Sequence, residues 1–124
     1  MVNIYDTANQ LAKDLKETQE YLDLAKAVKA IEEDPTSKDL FKRMDEVQAK
    51  LMRAQQMGQE ITDQDAEEYG KLAHEAQSNA NITNLFEAEQ KVHGMLDEIQ
   101  RIYSAQLNDL YENIRNKDLY KDLI

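Results

Sequence analysis

Apolar residues return every three or four positions in five separate runs along this chain. In the first, Ile4, Ala8, Leu11, Ala12 and Leu15 share one face of a helix over about 3–16. The second starts at Thr18, a residue suited to an N-cap, with Glu20 in the first turn and Tyr21, Leu24, Ala25, Val28 and Ile31 on one side. Asp34-Pro35 ends it, because proline lacks an amide donor and pushes its predecessor out of the helical region. Thr36 or Ser37 is then expected to cap a third helix carrying Leu40, Phe41, Met44, Val47, Leu51, Ala54 and Met57. Gly58 follows at once, in the place where a left-handed residue stops a helix.

Residues 55–69, "QQMGQEITDQDAEEY", crowd carboxylates behind that glycine and a short polar break. Ile61-Thr62-x-x-Asp65 has the form of an apolar residue, a threonine N-cap and an acid in the first turn, so the stretch joins two helices. A fourth helix over about 63–78 offers Ala66, Tyr69, Leu72, Ala73 and Ala76, and "SNAN" interrupts it. The last runs from Ile82 to about Tyr111, with Leu85, Ala88, Val92, Leu96, Ile99, Tyr103, Leu107 and Leu110 spaced three and four residues apart as in a coiled-coil seam. Glu87 with Lys91 and Asp97 with Arg101 stand at the spacing of supporting ion pairs. The fold expected is all-α: about five helices, two of them long and antiparallel, in one domain over 1–112 with a frayed or partly ordered tail over 113–124.

Length then changes the picture. A helix of about 30 residues is roughly 45 Å long, whereas a compact globule of this chain length is roughly 35 Å across. An apolar seam on so long a helix has to be covered, and a second copy is the expected cover. The multihelical bundle is therefore predicted to be completed by dimerisation. The interaction residues named by the seam are Leu85, Val92, Leu96, Ile99, Tyr103, Leu107 and Leu110. Met52, beside the stripe of the third helix, is a further candidate for an exposed contact; Met44 and Met57, on the stripe, are expected in the core. Gly70 and Gly94, inside helical patterns, suggest close approach of another backbone.

Composition narrows the functions. With 15 Lys plus Arg against 25 Asp plus Glu, the formal net charge is -10, a field that opposes direct contact with nucleic acid or an anionic membrane. No cysteine is present, which removes disulfides, thiolate metal sites and iron–sulfur clusters. No apolar run approaches the roughly 20 residues that span a bilayer, and the start has no basic and apolar leader, so a cytoplasmic protein is expected.

Candidate chemistry fails on spacing. Asp63, Asp65 and Glu67 alternate as in a calcium loop, but the sixth and twelfth positions hold Glu68 and His74 instead of the required glycine and glutamate. Neither His74 nor His93 completes a Glu-x-x-His di-iron pair, and Glu89 with His93 would need outside ligands to hold zinc. Ser37, Ser78 and Ser104 lack a nucleophile elbow, and Gly58, Gly70 and Gly94 stand alone. No catalytic residue, cofactor or metal site is expected. The function anticipated is that of a non-enzymatic helical adaptor with itself and an unidentified protein as partners; the alternative is a small-molecule- or metal-binding protein with a site at the dimer interface.

"TQEYLDLAKAVKAIEEDPTSKDLFKRMDEVQAKLMRAQQMGQEIT" followed by "LFEAEQKVHGMLDEIQRIY" resembles the YheA/YmcA/YlbF family of small helical proteins from Gram-positive bacteria, above all its YheA branch. The likeness rests on Glu20-Tyr21, Asp34, Phe41, Gln48, Leu51, Gly58-x-Glu60-Ile61 and Ala88-Glu89, and covers about residues 1–112. It implies an all-helical protein, dimeric or higher. For the YmcA and YlbF branches it implies regulation of competence, biofilm formation and sporulation with a third protein, and an adaptor role for a messenger-RNA endoribonuclease. Those branches are also associated with iron–sulfur clusters on cysteines, a chemistry that a chain without cysteine does not inherit.

Overall fold

Short polar side chains start the helices, and their geometry sets the element order. The computed structural model of the protein describes residues 2–115. Asn3 opens α1 (Ile4–Leu15) by accepting from the amides of Tyr5 and Asp6. Thr18 opens α2 (Gln19–Glu33), its hydroxyl accepting from the Tyr21 amide at 3.2 Å, and Thr62 opens α4 (Asp63–Gln77), accepting from the Asp65 amide at 3.1 Å. Each satisfies a backbone donor that the first turn leaves without a partner. Asn79 does the same for α5 (Ala80–Tyr111), its Oδ1 accepting from the Ile82 amide at 3.1 Å.

The start of α3 (Pro35–Gln56) differs from expectation. Asp34 occupies the N-cap and Pro35 the first helical position, so neither Thr36 nor Ser37 caps it. Proline is preorganised for that first position, where its missing amide hydrogen costs nothing. At the other end Gly58 takes φ 69°, the Gly58 amide bonds the Gln55 carbonyl, and the Gln59 amide bonds the Ala54 carbonyl at 2.8 Å. These paired bonds are a Schellman stop, and the link to Thr62 follows from it.

The chain divides into two compact units, Met1–Val92 and His93–Ile124. In the first, α2 packs on α3 and α3 on α4. Ile31, Leu40, Val47, Leu72, Ala76, Ile82 and Leu85 form the core, with Leu24, Ala27, Met44 and Leu51 against it. The stripe that α2 buries is thus Leu24, Ala27 and Ile31, while Tyr21, Ala25 and Val28 remain exposed. No residue of α1 is buried. In the second unit α5 continues to Tyr111, and the Tyr111 carbonyl accepts from the amides of Ile114 and Arg115 in the turn that follows. The tail expected over 113–124 lies, from residue 116 onward, outside the described residues. Five helices and no strand occur among the described residues.

Three local expectations are corrected. Met57 is exposed, because it sits at the C-cap where α3 has already ended. A Cβ added at Gly70 or Gly94 would meet nothing within 4 Å, so no backbone of the same chain approaches either glycine closely. The ion pairs of α3 and α4 run Arg43 to Asp39 and Glu75, Lys50 to Asp65, and Lys71 to Glu67; Glu87–Lys91 and Asp97–Arg101 do not close. Exposed charges four residues apart gain only about 0.3–0.5 kcal/mol, which side-chain entropy readily cancels.

Candidate interaction surfaces

The seam residues of α5 have two different surroundings. Leu85 and Ala88 are buried in the core of their own unit, and Val92 is half-buried at its end. Beyond His93 the stripe opens to solvent: Ile99 is half-buried, Leu96 and Tyr103 are exposed, and Leu107 and Leu110 show 58% and 71% of their surface. Isolated exposed leucines are ordinary, whereas several apolar residues exposed along one side of a helix are less so. Ile102 and Tyr111 are exposed beside it.

A cleft of about 500 Å³ lies in the first unit. Met44 and Leu51 of α3, Tyr69 and Leu72 of α4 and Phe86 of α5 form its apolar walls, and Gln48, Gln77 and Thr83 supply neutral polar groups. No carboxylate, amine or imidazole lines it, and its walls are mostly apolar with a few neutral hydrogen-bonding groups. A shallower groove between α2 and α5 has Ala27, Ala30 and Ala88 as its floor and Asp23, Lys26, Glu87 and Lys91 at its sides. Met52 is exposed, as its place beside the stripe of α3 leads one to expect, and lies outside the lining of the cleft.

The polar residues are engaged with one another. Ser37 is fully buried, and its hydroxyl stands 2.6 Å from Asp34 Oδ2 and 3.2 Å from Asn79 Oδ1. One hydroxyl hydrogen serves one acceptor, and the shorter, charge-assisted bond to Asp34 takes it. Asn81 Nδ2 donates to Asp34 and to Ser37, at 3.2 Å each. The junction of α2 with α3 is thereby tied to the junction of α4 with α5. The Ser37 hydroxyl is the main cause that holds the Asp34 carboxyl below its usual range; partial desolvation opposes it and the Asn81 amide assists.

Asp65 is also held low, chiefly by the Lys50 ammonium at 2.8 Å and by the Thr62 hydroxyl, while Asp65 raises Lys50 in return. Asp63 and Asp65 thus lie in the first turn of a helix, where they favour its positive end. Among the described residues no three histidine or carboxylate side chains gather as metal ligands, and no helix is long and apolar enough to cross a membrane. Asn79, Asn81 and Phe86 were not visible as contributors in the sequence. An asparagine three residues before Ile82 is the usual signal of a cap, and it stood inside "SNAN".

The profile of the family described as "Control of competence regulator ComK, YlbF/YmcA" matches residues 4–108. The chain belongs to the YlbF/YmcA family. Among its relatives, a UPF0342 protein of Lactobacillus helveticus is 48% identical over 116 residues, covering 94% of this chain and all of that one. A UPF0342 protein of Lactobacillus acidophilus is 47% identical, with 93% of this chain and 99% of that one covered. Of solved structures, a DUF964 protein of unknown function from Bacillus stearothermophilus superposes with a TM-score of 0.79 at 24% identity, covering 87% of this chain and 95% of that one. Bacillus subtilis RicA, solved in complex with RicF, gives 0.65 at 16% identity over 90% of this chain and 96% of that chain. At such identities these two establish the five-helix fold of the YlbF/YmcA chain, and the expected membership and all-α class are both met.

Proposed function

We propose that this YlbF/YmcA family member is a non-enzymatic cytoplasmic adaptor that works through protein–protein contacts as a homo-oligomer, linked to RNA turnover or to developmental regulation. The observation that carries it is the exposed stripe from Leu96 to Leu110, an apolar surface of the kind that protein partners cover. The family description, which concerns control of a competence regulator, and the assembly of RicA with RicF both support an action by contact. The acidic balance favours protein partners over direct nucleic-acid or membrane contact.

Sedimentation equilibrium at micromolar concentration is expected to give a dimer. Leu107→Asp, which places a charge in the stripe, is expected to give a folded monomer with unchanged helicity. A wild-type chain that sediments as a monomer overturns the homo-oligomer.

A second role, binding of a small apolar molecule, is supported by the cleft between α3, α4 and α5. The expected result is a rise of several degrees in melting temperature with a neutral apolar probe such as 1-octanol, corresponding to roughly 1 kcal/mol of linkage. The rise should disappear in Phe86→Gln. No shift with the wild-type protein would remove this second role and leave the adaptor untouched.

A further inference from the structure

The cleft between α3, α4 and α5 is layered. Val47, Leu72 and Ala76 are buried and form its floor, whereas Tyr69 and Phe86 are exposed and edge its mouth. Its walls run from Met44 to Leu51 on α3 and from Tyr69 to Gln77 on α4, about 10 Å and 12 Å of helix. An elongated apolar body would find cover there.

The polar groups of the lining are few and unequal. Thr83 is half-buried, and its hydroxyl donates to the Ala80 carbonyl at 3.0 Å. A hydroxyl has one hydrogen, so Thr83 Oγ1 has lone pairs left to offer and no donor. Gln48 and Gln77 are exposed, and their carboxamides make no hydrogen bond to a protein group among the described residues. They can turn either end to a guest. Thr83 is therefore the group that discriminates: a polar atom set beside it has to bring a hydrogen, because one that brings only lone pairs faces an acceptor.

Charge is disfavoured in both signs. An anionic head finds no lysine, arginine or histidine in the lining and a protein of net charge -10 around it. An ammonium head finds no lining carboxylate to replace the water it gives up.

We propose that the cleft selects uncharged amphiphiles, an alkyl body whose polar end carries a hydroxyl or amide hydrogen, with Thr83 Oγ1 as the acceptor that reads this hydrogen. The inference rests on the second role proposed above and narrows it from small apolar molecules at large to primary alcohols and carboxamides.

Calorimetric titration of the full chain with three ligands of closely matched size tests it. 1-Octanol donates a hydrogen, its isomer heptyl methyl ether does not, and octanoate is charged at neutral pH. Octanol is expected to bind tightest, the ether about 3- to 10-fold more weakly, the span of one net hydrogen bond, and octanoate more weakly than the ether. Thr83→Val keeps the shape and removes the acceptor, so octanol should fall to the affinity of the ether while the ether stays where it was. Equal binding of octanol and ether to the wild-type chain overturns the part given to Thr83 and leaves the apolar second role standing, whether or not Thr83→Val folds. Octanoate that binds as tightly as octanol overturns the selection against charge. If none of the three binds, the second role falls and this inference falls with it.

Discussion

Replacing Ile82 by alanine is expected to lower the unfolding free energy by about 3 kcal/mol, out of a usual range of about 2–5 for such truncations. Ile82 shows no surface to solvent and stands in the first turn of α5 among the core residues of α2, α3 and α4. The lost transfer energy and the cavity left behind add, because packed helices relax only partly onto such a gap. Alanine's better helix propensity returns only a few tenths of a kcal/mol. The melting temperature should fall by roughly 12 °C. Ile102→Ala is the control: the same side chain on the same helix, 74% exposed, where the change should stay within about 0.5 kcal/mol. Urea unfolding of both variants checks this; equal losses would mean that Ile82 is not at the centre of the core.

The second large effect is expected at Ser37. Ser37→Ala removes a hydroxyl that gives its hydrogen to Asp34 and receives one from Asn81, in a place water does not reach. Losing a buried hydroxyl that both gives and receives a hydrogen bond is expected to cost about 1 kcal/mol, since the half-buried Asp34 and Asn81 can turn to water. The cost should depend on pH, with a definite sign. Asp34 is held below its unfolded value, so the stability it contributes is present above the unfolded carboxyl range and is lost as pH falls through the folded value. Ser37 is the main cause of that depression, so its removal flattens the acid limb. Denaturant titrations from neutral to acid pH should show the wild type and Ser37→Ala converging at the acid end. Parallel curves would mean that Asp34 does not feel Ser37.

What was legible in the sequence was local. Thr18, Thr62, Pro35 and Gly58 act on backbone groups close to them in the chain, and α2, α3 and α4 begin and end within about three residues of where the sequence puts them. The burial of Leu40, Val47, Leu72 and Leu85 follows from spacing alone. What escaped depends on partners distant in the chain. Ser37 meets Asn79 and Asn81 across 42 and 44 residues, and no local pattern distinguishes it from a cap. Gly70 and Gly94 illustrate the reverse error: helical glycine suggests a tight neighbour, and no atom stands there. The cleft was hidden for the same reason, since Phe86 and Tyr69 become neighbours only after α4 and α5 are placed. The seam was visible as a pattern, but the division between its covered part, up to Ala88, and its open part, from Leu96, came from the structure.

The first helix carries one more consequence. α1 has twelve residues, a good cap at Asn3 and an apolar side, yet none of its residues is fully buried and only Leu15 is half-buried. A helix of that length without tertiary cover is close to balanced between wound and unwound in water. Among the five helices, its amide hydrogens should therefore be the first to trade with deuterium. Any body that settles on Ile4 and Leu11 would have to supply the ordering entropy of those three turns, so its grip would be weaker, and easier to release, than the area alone suggests.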